Sequence, residues 1–135
     1  MRVLLDTNIL ISAAIFPSPV TKDFLWQLRA LNAKIFLCNH IVKEFVDVYQ
    51  EKFPHKQVAA QRFLKELPYH MIPASELQTN DSVSSIRDVN DAPILTAAIK
   101  GNVDILVTGD KDFLVLDLPK PKIMTMAEFI EAFAS

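Results

Sequence analysis

Short apolar runs alternate with amphipathic segments along most of the chain. Apolar runs that lack regularly alternating polar positions are typical of strands in parallel sheets, because helices cover both faces of such sheets. We expect four strands of this kind, at residues 1–5, 34–38, 103–107 and 123–124, and a weaker one at 69–72. The polar stretch 73–90 predicts no definite element beyond a short helix near residues 82–86.

The segments between these runs carry apolar residues at helical spacing. Thr21 is expected to open the second helix, Asn39 to cap the third, and Val58 to face the core from the fourth. The alternation predicts an α/β protein, a three-layer α/β/α sandwich with a central, mostly parallel sheet, in a single domain over residues 1–135. The expected helices cover residues 7–16, 21–32, 40–52, 54–67 and 94–100, with a last one after Thr125.

Composition narrows the class of protein. Half of the 135 residues are hydrophobic, and the net charge of -2 does not by itself indicate a nucleic-acid binder. The one cysteine, Cys38, lies in an apolar run and is interpreted as a small buried hydrophobe. No segment has the pattern of a signal peptide or the length of a membrane span, so we expect a cytoplasmic protein without a membrane partner.

Four carboxylates occupy related positions along the pattern. Asp6 ends the strand at residues 1–5, and Asp110 follows the strand at residues 103–107, the fourth in chain order. Glu44 lies one turn into the helix after the second strand, and Asp91 is at the start of a buried helix. Carboxyl ends of parallel strands and amino ends of the helices that follow share the edge where ligands bind, so we expect these side chains to converge. Simpler roles remain open: an N-cap for Asp6 and a surface ion pair with lysine for Glu44.

Converging carboxylates repel one another and need a cation. Hard oxygen ligands suit Mg²⁺ or Mn²⁺, and no Cys or His joins the set to favour zinc. His40, His55 and His70 have no metal-ligand spacing and are interpreted as surface or packing residues. A bound divalent ion activates water and neutralises charge on a phosphodiester without a nucleophilic side chain, and the sequence offers no strong nucleophile.

The sequence resembles the PIN-domain family, and within it the VapC-like toxins of prokaryotic toxin–antitoxin pairs. The resemblance rests on four motifs in order: LLDTN at the start, Glu44 within VKEF, the segment RDVNDAPILTAA, and LVTGDKDF. It implies a Mg²⁺- or Mn²⁺-dependent endoribonuclease that leaves a 5′-phosphate and a 3′-hydroxyl. It also implies a cognate antitoxin partner and a homodimer.

Carried over residue by residue, the resemblance makes Asp6, Glu44, Asp91 and Asp110 the acidic metal-binding and catalytic positions. Supporting positions are Asn8 beside the first acid, Thr108 just before the last, and the nearby Asp88 and Asp112, of which Asp112 is rather a solvated or helix-capping acid. Two features depart from the family pattern: Pro93 replaces a polar residue, and the serine-rich stretch before Arg87 matches no motif. Candidate phosphate-backbone contacts are Lys43, Lys52, Lys111 and Arg87.

Two other functions stay open at this point. A phosphatase would use Asp6 as a covalent nucleophile, but such enzymes usually carry a second Asp two residues on, where this chain has Asn8. A catalytically inactive PIN-like binding module would have lost its acids, whereas all four are present. Trp26, Phe63 and Tyr69 are candidates for an apolar contact surface, with core packing as the alternative.

Overall fold

Five parallel strands form one sheet at the centre of the molecule. The computed structural model describes residues 1–72 and 92–134, so the expected helix near 82–86 and the candidate residues Arg87, Asp88 and Asp91 lie outside the described residues. The strand order is β3-β2-β1-β4-β5, and all four neighbouring pairs are parallel. The strands are β1 Arg2–Leu5, β2 Lys34–Cys38, β3 Tyr69–Ile72, β4 Ile105–Val107 and β5 Lys122–Met124.

Helices cover both faces of this sheet, which confirms the predicted α/β/α architecture. Val3, Leu4 and Leu5 of β1 are all almost fully buried, although successive residues of a strand point to opposite faces. The helices are α1 Thr7–Ala14, α2 Pro19–Ala30, α3 Asn39–Lys52, α4 Gln57–Glu66, α5 Ala92–Lys100, α6 Lys111–Leu114 and α7 Met126–Ala132, with a 3-10 turn at Pro54–Lys56 before α4. Along the described ranges, no helix is long and apolar enough to cross a membrane.

Helix packing follows the amphipathic patterns. Helix α2 packs against α7, where the rings of Phe24 and Phe129 meet edge to face at 5.2 Å, and α1 packs against α3 and α4. Thr125 caps α7 as predicted, because its hydroxyl accepts from the Glu128 N–H and the Glu128 carboxylate accepts from the Thr125 N–H. Cys38 is fully buried, as its apolar surroundings predict.

The strand order creates a crevice beside β1. The chain passes from β1 outward through β2 to β3, and then returns to place β4 and β5 on the other side of β1. Neighbouring strands β1 and β4 therefore lie at the point where the strand order reverses. In open parallel sheets, ligands bind at the carboxyl ends of the strands at this point.

Several local predictions were wrong. The strand expected at 103–107 begins at Ile105, and the helix expected at 94–100 begins at Ala92. Helix α2 begins at Pro19, two residues before Thr21, because the Ser18 hydroxyl accepts from the Thr21 N–H and proline fits the first helical position. Asn39 is the first residue of α3, and the capping position belongs to Cys38. Val58 is 68% exposed, since it lies about 200° around α4 from the buried Ala60.

Candidate active site

Asp6 lies at the carboxyl end of β1, directly in the crevice. Its N–H donates to the Val107 carbonyl of β4 at 3.0 Å, which fixes the backbone between the two strands. Its Oδ1 accepts from the Thr7 N–H at 2.7 Å, so Asp6 is the N-cap of α1, and its exposed fraction is only 4%. The capping role is confirmed, but it occupies only one of the two carboxylate oxygens.

The second carboxylate oxygen of Asp6 is held by Thr108. The Thr108 hydroxyl, fully buried at the end of β4, donates to Asp6 Oδ2 at 2.7 Å. The same hydroxyl oxygen accepts from the Asp110 N–H at 3.0 Å. Thr108 therefore connects Asp6, after the first strand, to Asp110, after the fourth. The spacing of the two motifs alone does not reveal this connection.

Asp110 caps a helix that the sequence pattern did not predict. Helix α6 has only four residues, and Asp110 Oδ1 accepts from the Asp112 N–H at 2.9 Å. The capping acid of this motif is thus Asp110, and Asp112 lies inside the helix. Four residues are too few for apolar periodicity to indicate a helix, although an acid followed by polar residues is a usual start.

Burial raises the pKa of the Asp6 carboxyl above its ordinary value. The hydrogen bonds from Thr108 and Thr7 act in the opposite direction, and the negative charges of Glu44 and Asp110 raise the pKa further. Two of the other predicted acids, Glu44 and Asp110, therefore act electrostatically on Asp6. The convergence of these acids on one metal ion stays a prediction.

Glu44 occupies the rim of this site on α3. Its side chain is 43% exposed, and among the described residues its ion-pair neighbour is His40, with Nε2 3.9 Å from Glu44 Oε2. Lys43 instead pairs with Asp47 at 3.0 Å, so the predicted pairing of Glu44 with a nearby lysine is not formed within the described ranges. The contact of His40 with Glu44 was not predicted, although the expected helix over residues 40–52 already places the two side chains at the i,i+4 spacing at which they meet.

Cys38 lies beside the acids but does not add a nucleophile. Burial raises the pKa of its thiol, and the charges of Asp6 and Glu44 raise it further. The thiol is therefore protonated at neutral pH, and only a thiolate attacks or binds metal well. Asn8, the predicted polar neighbour of Asp6, is exposed on the first turn of α1.

The donor set at this edge suits a hard cation. No Lys, Arg or His pairs with Asp6 or Asp110 within the described ranges, and the ion-pair neighbour of Glu44 there is His40, at 3.9 Å. A carboxylate offers about four lone-pair positions, and Asp6 uses one on each oxygen, so each oxygen can accept a further ligand. Within residues 1–72 and 92–134, no group of three or more His, Cys, Asp or Glu side chains is arranged to hold a metal ion. Asp91, the fourth predicted acid, lies outside those ranges.

The fold and this acidic edge together define a parallel α/β protein with a carboxylate site where the strand order reverses. A family model described as PIN domain matches residues 2–112. The chain therefore belongs to the PIN-domain family, and the resemblance found in its motifs is confirmed.

Among solved structures, the chain is similar to a chain in the crystal structure of VapBC2 from Rickettsia felis bound to a DNA fragment from their promoter. The TM-score is 0.66 at 21% sequence identity, over 92% of this chain and 97% of that one. This likeness shows a common fold. None of the curated proteins compared with the sequence matches it significantly.

The raised pKa of Asp6 gives a prediction for the metal-free protein. The folded state holds the Asp6 proton more tightly than the unfolded state, so this group's stabilising contribution is full at acidic pH and is lost as pH rises through the raised pKa. At neutral pH the buried charge therefore destabilises the fold. We expect Asp6→Asn, which keeps a capping oxygen, to raise the melting temperature in EDTA at pH 7, with the gain shrinking toward pH 4. Equal melting temperatures across this range would contradict the burial of a charged Asp6.

Proposed function

We propose that the chain is a divalent-metal-dependent endoribonuclease and the toxin component of a toxin–antitoxin pair. The observation that carries the proposal is Asp6, buried at the crevice beside β4, hydrogen-bonded by Thr108 and subject to the negative charges of Glu44 and Asp110. No cation within the described ranges neutralises it. Membership of the PIN-domain family supports a nuclease over other uses of such a site.

The proposed site divides the work among a few side chains. Asp6, Glu44, Asp91 and Asp110 would hold Mg²⁺ or Mn²⁺, which supplies an activated water and neutralises charge on the scissile phosphate. Thr108 favours the ionised form of Asp6, because its hydroxyl donates to the carboxylate and so opposes the rise in pKa that burial causes. It also fixes the Asp110 backbone, so that the two acids keep one relative position.

The site is less suited to a phosphatase with an aspartyl nucleophile. An attacking carboxylate oxygen must reach the substrate, whereas Asp6 is 4% exposed and both of its oxygens accept hydrogen bonds from the protein. Asn8 replaces the second acid of such enzymes. A metal-activated water avoids both difficulties, because the nucleophile then comes from solvent.

The proposal extends to partners and location. A toxin needs an antitoxin, and the similar structure from Rickettsia felis is described as VapBC2 bound to promoter DNA. We propose a cognate antitoxin protein, a homodimer and a cytoplasmic site of action on single-stranded or looped RNA. Lys43, Lys52, Lys111 and Arg87 stay candidates for the phosphate backbone, and Lys111 directly follows Asp110 at an exposed position.

Metal dependence tests this proposal. We expect the purified chain to cleave end-labelled single-stranded RNA with Mn²⁺ or Mg²⁺, to stop in excess EDTA, and to recover when Mn²⁺ is restored. The products should carry 5′-phosphates and 3′-hydroxyls, because water rather than the ribose 2′-hydroxyl attacks the phosphate. Cleavage that persists in EDTA and leaves 2′,3′-cyclic phosphates would contradict the proposal.

A further inference from the structure

A second concave site lies at the opposite edge of the sheet from Asp6. It is a cavity of about 530 Å³ between the C-terminal ends of α2 and α4. Lys34 and Ile35 at the start of β2, and Pro68 and His70 around the start of β3, form its sheet side. Its volume falls within the range of about 300–1,000 Å³ that is typical of small-molecule sites.

The inner wall of this cavity is apolar. Leu28 and Ile35 line it and are buried in the core, with exposed fractions of 1% and 7%. Leu25, Phe63 and Leu67, which are half-buried, complete the wall from α2 and from the end of α4. Such a wall favours the hydrocarbon or aromatic body of a ligand, because its burial removes apolar surface from water.

The rim of the cavity carries an excess of positive charge. Arg29 and Lys34 line it with exposed side chains, and neither makes an ion pair with another described residue. Glu66 is the one acid in the lining. Two cations and one carboxylate leave a formal net charge of about +1, which complements a single negative charge.

We propose that this cavity binds a small apolar carboxylic acid, with its apolar body against Leu28 and Ile35 and its carboxylate between Arg29 and Lys34. Arginine is well suited to this role, since its planar guanidinium matches the two oxygens of a carboxylate. The site is independent of the proposed nuclease function, because none of its lining residues belongs to the acidic edge of the sheet.

Titration of the purified chain with octanoate, 1-octanol and octyltrimethylammonium tests this proposal. Calorimetry of the purified chain gives the affinity for each of the three ligands. We expect octanoate to bind about tenfold more tightly than 1-octanol, in line with a charged hydrogen bond, and the cationic amphiphile to bind most weakly. Equal affinities for the acid and the alcohol would overturn the proposal.

A pair of matched charge variants locates the binding site. Arg29→Gln/Lys34→Gln should reduce octanoate affinity to that of 1-octanol and leave the alcohol unchanged. Lys22→Gln/Lys122→Gln removes the same charge from exposed positions outside the lining, and should keep the octanoate affinity. An equal loss of octanoate affinity in both variants would show that the effect comes from the total charge of the protein, and would overturn the proposed site. Binding of an acidic amphipathic peptide without any binding of octanoate would assign the cavity to a protein segment instead.

Discussion

Asp6→Asn is expected to abolish metal-dependent RNA cleavage while the protein stays folded. Loss of a metal-binding charge at the reacting phosphate should lower the rate by about a thousandfold or more, equivalent to about 4 kcal/mol of transition-state stabilisation. The asparagine oxygen can still cap α1, and its NH2 group can donate to the Thr108 hydroxyl oxygen in place of the bond that this hydroxyl now donates, so the local structure should persist. Initial rates of RNA cleavage in Mn²⁺, with circular dichroism and melting curves for the same preparations, measure both effects.

Asp104→Asn is the matched control for this prediction. Asp104 lies before β4, at the opposite edge of the sheet, where it accepts from the Arg2 N–H at 2.8 Å and pairs with Lys120 at 3.4 Å. The Arg2 hydrogen bond holds the pKa of Asp104 below its ordinary value, so its ionised form stabilises the fold at neutral pH. We expect this variant to melt at a lower temperature and to keep its cleavage rate, the reverse of Asp6→Asn. Retained activity in Asp6→Asn would remove Asp6 from the catalytic site.

Asp110→Asn has the second largest expected effect, a loss of about a hundredfold in cleavage rate. Asparagine caps helices about as well as aspartate, so α6 and the hydrogen bond from the Asp110 N–H to Thr108 should be retained. Only the charge that acts on Asp6 and would bind metal is lost. The cleavage rate should therefore fall without a drop in melting temperature.

Asp117→Asn controls for the loss of a negative charge in the same stretch of chain. Asp117 is exposed between α6 and β5 and belongs to none of the contacts of the acidic site. Its cleavage rate should match that of the unmodified chain. An Asp110→Asn variant as active as Asp117→Asn would show that the acid after β4 has no part in the reaction.

The fold was predictable from the sequence because its signals are local and repeated. β2 and β3 occur at the predicted residues, since each apolar run is bounded by turn or helix signals. Helix boundaries were less certain because they depend on which backbone groups are capped. The Ser18 cap lies at a helix start, which periodicity locates only to within a few residues, whereas Val58 is exposed because it faces away from the buried Ala60 on α4.

The candidate site was predictable in its residues but not in its connections. The parallel sheet brings Asp6 and Asp110 to one edge, and a βα pattern is enough to infer that. The hydrogen bond from Thr108 to Asp6 joins residues 102 positions apart in the sequence, so no local pattern contains it. The pairing of His40 with Glu44 has the i,i+4 spacing of the predicted helix and could have been inferred from the sequence. The ligand role of Asp91 stays a prediction from the family motif.

Calorimetric titration with Mn²⁺ tests most directly whether the acidic edge of the sheet is a metal site. The unmodified chain and Asp6→Asn would be titrated at neutral pH after dialysis against EDTA and then metal-free buffer. We expect saturable binding to the unmodified chain and little or none to Asp6→Asn, with Asp104→Asn binding like the unmodified chain. Equal Mn²⁺ affinity in the unmodified chain and in Asp6→Asn would contradict a metal site built on Asp6.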